Sequence, residues 1–210
     1  MSVRCPVRPV AEAGFTLVEV LVAMLVMAVM AVMSWQGVDG IVRSRSASQG
    51  RLEQTLRLNT VMAQWDQDLA SIQDGKVPTP PLQCDGTSVR LVRRTPDGLQ
   101  VVVWSLRPDD SGGAWVRWAG PSVTTVGQLT DSWLRSLQLQ GSEPGSLKVL
   151  TGVTGWQVYF FTNAWANCQS TIAKSSTGAF VLPGGVRAVI SFGPGSGLSG
   201  DLTRDTLTGR

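Results

Sequence analysis

The segment from Gly14 to Met24, GFTLVEVLVAM, places one acidic side chain inside an apolar run that is long enough to cross a membrane. Between Phe15 and Trp35 the chain has no Lys, Arg, Asp or Asn, and the single charge in that stretch is Glu19. A lipid bilayer penalises such a charge, so a membrane segment that keeps one needs a group that compensates it. The segment therefore predicts an N-terminal membrane helix with a functional carboxylate.

The apolar side chains of this run outweigh the cost of Glu19. Ten Leu, Val and Phe residues lie between Phe15 and Val32. At about 0.3 to 0.6 kcal/mol each, they favour insertion by roughly 3 to 6 kcal/mol. An acidic residue at mid-bilayer costs about 2.5 to 3.5 kcal/mol, and the cost is smaller near one end of the span. We therefore expect the segment to insert, with Glu19 unpaired inside its own chain.

The same eleven residues resemble the processing and methylation site of the type IV pilin and pseudopilin family. In that family a membrane-embedded prepilin peptidase cuts after the glycine. The resemblance implies cleavage between Gly14 and Phe15 and N-methylation of Phe15. It also implies an assembly role for Glu19, because the family pairs this carboxylate with the amino terminus of a neighbouring subunit.

An ordinary signal anchor and a cleaved secretory signal peptide are the alternatives to this interpretation. A secretory peptide has its apolar stretch before a small-residue cleavage site. Here the junction of Gly14 and Phe15 precedes the apolar stretch. Ala11 and Ala13 form a small-residue pair, but no apolar stretch comes before them. This order predicts that the apolar segment is retained in the mature protein.

The basic residues of the N-terminus predict the orientation of the chain. Arg4 and Arg8 precede the apolar run, and no compensating cluster follows it directly. The positive-inside rule therefore places residues 1–14, the leader, in the cytoplasm. In a bacterium the chain is then anchored once in the inner membrane, with its head domain in the periplasm.

Cysteine content fits an oxidising compartment. Cys84 and Cys168 are the two cysteines that remain once Cys5 departs with the leader. Thiols oxidise in the periplasm, so a disulfide between the two is one alternative and a pair of small buried thiols is the other. A bridge that closes a loop of this length stabilises by about 4 to 5 kcal/mol in the chain-entropy treatment.

Hydrophobic periodicity predicts an α+β protein. Residues 15–36 form the transmembrane helix, and apolar side chains then recur at three- and four-residue spacings, which predicts an amphipathic helix over residues 37–75. Gly37, Gly40 and Gly50 weaken this continuation by roughly 1 kcal/mol each relative to Ala and favour a bend or a melted turn. The long helix is expected to pack its apolar stripe on the domain that follows.

Residues 76–210 have the two-residue alternation and turn signals of a mostly antiparallel β-sheet head domain. Three segments, SVRLVRR, LQVVVWSLR and AWVRW, predict a meander, and VTGWQVYFF and VRAVISF predict later strands. A short helix is expected around Trp133–Leu139. The glycine-rich stretch of residues 193–200 precedes a tail that is either a last edge strand or frayed.

The head is similar to the J-type minor pseudopilins of the type II secretion system. The resemblance runs through AQWDQDL at residues 63–69, RLVRR, VVVWSLR, GWQVYFF and LPGGVRAVISF. It implies a subunit of the pseudopilus tip complex, which initiates assembly and supports export of folded proteins across the outer membrane. Other minor and major pseudopilins, prepilin peptidase and inner-membrane lipid are the implied partners. A W-like minor pilin of a type IV pilus is the alternative, and a signal-anchored periplasmic binding domain is a more distant one.

Catalytic chemistry finds little support in the sequence. The chain has no histidine, which removes the Ser-His-Asp and Cys-His nucleophile pairs and the commonest metal ligand. Two cysteines cannot build a structural zinc site without other ligands. We therefore expect no enzyme, no metal site and no cofactor. The densest basic cluster, Arg90, Arg93 and Arg94, is interpreted as a solvated strand edge, and no nucleic-acid partner is expected.

Eight tryptophans remain to be placed. Trp65, Trp104 and Trp156 lie in apolar patterns that predict core positions. Trp115 and Trp118 flank Arg117 near a turn, where exposed aromatic side chains suit a partner surface. Core packing of the two indoles on alternate faces of a strand is the alternative.

Overall fold

The computed structural model describes residues 14–73, 78–110, 112–169 and 180–208. Two α-helices are present in this part of the chain, α1 (Leu17–Ala70) and α2 (Val126–Ser136). The strands of the same part are β1 (Leu82–Cys84), β2 (Ser88–Thr95), β3 (Gly98–Arg107), β4 (Ala114–Ala119), β5 (Ser146–Thr151), β6 (Val153–Phe161), β7 (Trp165–Asn167), β8 (Gly185–Phe192) and β9 (Gly200–Leu207). The predicted α+β class is confirmed.

The strands form two antiparallel sheets. Sheet A has the order β1-β2-β3-β4-β5, so the predicted meander lies at its centre. Sheet B has the order β7-β6-β8-β9, which makes the C-terminal tail an edge strand. A short 3₁₀ turn at Pro194–Ser196 connects β8 to β9.

Helix α1 contributes to two compact units, one through Gly50 and the other from Arg51 onward. In the first unit its apolar side chains are exposed, and the helix is long and apolar enough to cross a membrane. Helical structure continues through the glycines of residues 37–50, so the expected melted turn is absent from α1. The helix ends at Ala70, before the predicted boundary at residue 75, and residues 74–77 lie outside the described part of the chain.

The second unit is built around an apolar stripe of α1. Val61, Met62, Trp65 and Leu69 recur at helical spacing and are all buried against strands of both sheets. Trp65 lies at the centre, with its ring centroid 5.4 Å from that of Trp104, 5.5 Å from that of Trp115 and 6.2 Å from that of Trp156. The core positions predicted for Trp65, Trp104 and Trp156 are therefore confirmed.

Sheet A is covered on both faces, which explains the uninterrupted apolar run VVVW in β3. Val102 and Trp104 belong to the core beneath α1, whereas Val101 and Val103 belong to a second cluster with side chains of α2. A strand that is buried on both sides does not alternate between apolar and polar residues.

Both faces of β4 are covered as well, and the expected partner surface at Trp115, Arg117 and Trp118 is wrong. Trp115 is fully buried in the core beneath α1, and Trp118 is 3 % exposed in the α2 cluster on the opposite face. The Arg117 side chain is 14 % exposed and turns inward. Because β4 is an interior strand between β3 and β5, the alternative of core packing on alternate faces is what the structure shows.

The solvated strand edge expected at Arg90, Arg93 and Arg94 is wrong for Arg90, which is buried, and for Arg93, which is half-buried, whereas Arg94 is exposed. Strand β2 lies between β1 and β3, and Arg90 is 7 % exposed. Its Nη1 donates to Asp85 Oδ2 at 2.7 Å and its Nε to the Ser136 carbonyl of α2 at 3.3 Å.

Partial burial of Asp85 raises its pKa, but hydrogen bonds from Arg90 and Ser88 outweigh burial and hold that pKa well below its usual value. The stability that this group contributes is present above about pH 4 and lost as the pH falls through the depressed pKa.

A disulfide joins the two sheets. Cys84 ends β1 of sheet A, Cys168 follows β7 of sheet B, and their Cα atoms are 5.8 Å apart. Both residues are buried. The bridge therefore cross-links two three-residue strands that have few ladder hydrogen bonds of their own.

Helix α2 begins earlier than the sequence predicted. It starts at Val126 rather than near Trp133, because Thr125 caps it and accepts a hydrogen bond from the Gln128 amide at 3.4 Å. The pattern Thr-x-x-Gln is the signature of a capping box, although Gly127 is a poor helix former.

The substitution Trp118→Ala should destabilise the full chain by about 3 to 5 kcal/mol, because it opens a cavity in the α2 cluster. It also removes the hydrogen bond from the indole Nε1 to the Pro144 carbonyl, which is 3.1 Å long. Leu134→Ala, on the solvent side of α2 at a residue 55 % exposed, is the control and should change stability by about 0.5 kcal/mol or less. Denaturant titration in detergent measures both. A Trp118→Ala chain as stable as the control contradicts the burial.

Candidate processing and assembly site

Glu19 closes a hydrogen-bonded ring at the start of α1. Its Oε2 accepts from the backbone N–H of Thr16 at 3.3 Å and from the Thr16 hydroxyl at 3.2 Å. In return the Glu19 N–H donates to Thr16 Oγ1 at 3.3 Å. The Thr16 carbonyl accepts the first helical bond, from Val20 N. This reciprocal arrangement is a capping box.

The capping box supplies hydrogen-bond donors that the sequence analysis did not predict, while Glu19 has no ion-pair partner among the described residues. The sequence Thr16-Leu-Val-Glu19 carries the Thr-x-x-Glu signature of this cap, which hydropathy alone does not reveal. A helix N-terminus has unsatisfied N–H groups and a partial positive charge, so a carboxylate there is stabilised. The carboxylate therefore has donors in its own subunit.

Gly14 and Phe15 lie immediately before this cap. Phe15 is 87 % exposed. A Cβ atom added to Gly14 would meet no atom within 4 Å among the described residues. Neither space nor packing in this part of the chain therefore requires glycine at position 14.

A second acidic residue of α1, Asp68, is fully buried at the other end of the helix. Its Oδ1 accepts from Arg93 Nη1 at 2.7 Å and from Gln64 Nε2 at 3.0 Å. Arg117 donates to both carboxylate oxygens, from Nε to Oδ2 at 2.8 Å and from Nη2 to Oδ1 at 3.0 Å. Trp104 Nε1 donates to Oδ2 at 2.9 Å. We call these five residues the Asp68 hub.

The Asp68 hub connects α1 to three neighbouring strands of sheet A. Arg93 is in β2, Trp104 in β3 and Arg117 in β4. The guanidinium of Arg93 is held in turn by Gln100 Oε1 at 2.9 Å, and that of Arg117 lies 5.8 Å from the Trp104 ring centroid. A buried charge of this kind is tolerated because charged and neutral donors fill its lone pairs.

The hub was not predicted from the sequence, although a local signal exists. Asp68 lies three residues after Trp65 and one before Leu69, so it falls on the buried stripe of α1. A carboxylate on such a stripe needs partners. Asp66, two residues earlier, lies off that stripe and pairs with Arg204 and Thr206 of β9.

Comparison with known proteins identifies the N-terminal segment. Residues 10–35 match the prokaryotic N-terminal methylation motif. No curated protein matches the chain. The chain therefore carries a type IV pilin-like prepilin signal, which implies processing by prepilin peptidase and pilin-type partners in general. A single N-terminal apolar helix that fits a membrane anchor agrees with that signal.

The substitution Asp68→Asn should destabilise the full chain by about 3 to 5 kcal/mol, because it leaves two inward-facing guanidinium groups without their counter-charge. Asp66→Asn is the matched control on the same helix. Its ion-pair partner Arg204 is half-exposed, so the control should lose about 1 kcal/mol or less. Denaturant titration in detergent compares the two. Equal losses contradict a hub that depends on burial.

Proposed function

We propose that the chain is a minor pseudopilin of the type II secretion system. In this role it forms part of the pseudopilus tip complex, which initiates assembly and supports export of folded proteins across the outer membrane. It acts as a structural subunit and catalyses no reaction. Its head lies in the periplasm and α1 anchors it in the inner membrane.

The observation that carries this proposal is the methylation motif at residues 10–35, joined through α1 to a two-sheet head. The J-type resemblance of the head adds support, because three of its five pieces meet in one place. Asp68 from AQWDQDL, Arg93 from RLVRR and Trp104 from VVVWSLR all belong to the Asp68 hub. Separate short matches thereby describe one packed feature.

The geometry of the cap supports an assembly role for Glu19. Before assembly, Thr16 supplies the carboxylate with two donors, which lowers the cost of holding it in lipid. Cleavage after Gly14 leaves the Thr16 amide intact and creates a charged amine on Phe15. The amine of a neighbouring subunit can then replace these neutral donors, because an ammonium group adds a charge–charge attraction to the carboxylate that the Thr16 donors lack.

The assignment is tested by deleting the gene and restoring it on a plasmid. A pseudopilin predicts that deletion abolishes release of folded exoproteins into the medium, while surface pili and twitching motility persist. Plasmid-borne Asp66→Asn, which leaves the Asp68 hub intact, should restore secretion. Loss of pili with normal secretion contradicts the proposal and identifies the W-like minor pilin instead.

Glu19→Val should leave membrane insertion intact and prevent the subunit from entering filaments, because the apolar helix gains hydropathy and the neighbour's amine loses its counter-charge. Glu53→Val, an equal change at an exposed glutamate of α1, is the control. Sheared filaments collected by centrifugation and probed for both variants give the comparison. Equal incorporation of the two variants contradicts an assembly role for Glu19.

A further inference from the structure

Strand β9 differs from the other sheet edges of the described residues. β1 and β7 are three residues long. The outer edge of β5 is occupied by Arg57 of α1, which donates to the carbonyls of Val149 at 2.9 Å and Lys148 at 3.3 Å. β9 has eight residues, pairs with β8 along its whole length without a register shift, and contains no Pro and no Lys. It therefore lacks the short length, Pro, Lys and bulge that protect many edge strands, and its charges, Asp201, Arg204 and Asp205, restrict which strand can pair with it.

The register shows which backbone groups of β9 are open. Thr208 N donates to the Gly184 carbonyl at 3.4 Å, in phase with the pairing of Leu207 with Gly185. Antiparallel ladders alternate between bonded and non-bonded pairs, so even-numbered residues of β9 face β8 and odd-numbered residues face outward. Within the described chain, no backbone hydrogen bond outside the β8 ladder involves residues 201–207. Alternate N–H and C=O groups along β9 are thus free to pair with an extended strand.

The side chains beside this edge add an apolar contact. Trp165, Phe161, Gly185 and Leu207 form one cross-strand row across sheet B. Phe161 and Trp165 have ring centroids 5.3 Å apart, and Leu207 at the open end of the row is 65 % exposed. An apolar side chain opposite Leu207 on an added strand would continue this row.

Charge on β9 argues against a second copy of the chain as the added strand. Two-fold antiparallel pairing places one residue opposite its own copy. A register centred on Arg204 or on Asp205 opposes like charges directly, and one centred on Thr203 places Asp201 opposite Asp205 twice. Registers centred on Leu202 or Thr206 avoid such pairs but align five residues of β9 or fewer. Such pairs are destabilising. The carboxylate of Asp201 has no ion pair within the described residues and instead favours a basic side chain from a different sequence.

We propose that β9 is the docking edge for an extended strand of a different pilin-like subunit. The added strand bonds to the outward backbone groups of β9, places an apolar side chain opposite Leu207 and a basic side chain opposite Asp201. Sheet B thereby continues from one subunit into the next. The identity of the partner class rests on the proposed function, whereas the mode of docking follows from β9 itself.

The substitution Thr203→Pro tests whether binding depends on backbone hydrogen bonds at the β9 edge rather than on side-chain contacts. It removes an outward N–H while leaving the β8 ladder intact, and Thr203→Ala keeps that N–H at the same position. The probes are the other chains of the same bacterium that carry the methylation motif, each purified at full length in the same detergent. Thr203→Pro should weaken binding by about tenfold or more, and Thr203→Ala should bind within about twofold of wild type. Equal affinities of the two variants overturn the inference.

Asp201→Lys provides an independent variant that keeps every backbone group, so it remains informative if Thr203→Pro fails to fold. It should weaken binding, and Asp201→Asn should weaken it less. Unchanged affinity of Asp201→Lys overturns the charge part of the inference.

Hydrogen–deuterium exchange of residues 200–208 in the wild-type complex locates the contact. Slower exchange of this segment on binding supports docking at β9. A complex that leaves it unchanged overturns the inference while the proposed function stands, and no complex with any methylation-motif chain overturns both. Self-association that protects the same segment overturns the choice of a different subunit.

Discussion

One helix must satisfy two apolar environments, and an acidic residue of α1 is placed in each of them. Glu19 lies in the stretch that suits a membrane, where water cannot compensate its charge. Asp68 lies fully buried in a packed protein core. The two carboxylates have different hydrogen-bond donors. Glu19 is held by donors of its own first turn, and Asp68 is held by side chains of three strands.

The two carboxylates also differ in the kind of donor that holds them. Thr16 offers neutral donors at 3.2 and 3.3 Å, which are long enough to be replaced by a stronger partner. The guanidinium groups around Asp68 are charged and approach to 2.7 and 2.8 Å. Such a fully bonded carboxylate determines which turn of α1 faces β3. If the helix slid by one turn, the Asp68 carboxylate would lie among apolar side chains without its donors. The bonds of Asp68 thus fix the head, whereas those of Glu19 are the ones that the proposed assembly step exchanges.

Local sequence patterns predicted the helices and strands better than they predicted which elements pack against them. The long helix, the meander and the core positions of Trp65 and Trp156 followed from periodicity, because each depends on neighbours in the chain. The sheet A partners of Asp68 lie 25, 36 and 49 residues away, so no local pattern reveals them. Trp118 and Arg90 were misplaced for the same reason. Alternation along a strand does not show whether its second face is covered or which strands flank it.

The processing site was predicted by a different kind of signal. Gly14 and Phe15 are not required by packing among the described residues, and they stood out only because the motif that contains them is specific. The hydrogen bonds of Glu19 were missed, although Thr16 and Glu19 have the spacing of a capping box. Hydropathy thus identified the charge, and helix-capping chemistry explains how the subunit tolerates it.

Mass spectrometry of the intact, membrane-extracted chain and of its N-terminal peptide tests the central claim most directly. A pilin-like subunit predicts a mature chain that begins at N-methylated Phe15 and keeps the whole of α1. The same measurement on Gly14→Leu should show the leader still attached. A wild-type chain that retains residues 1–14, or one cut within or after the apolar run, contradicts the account.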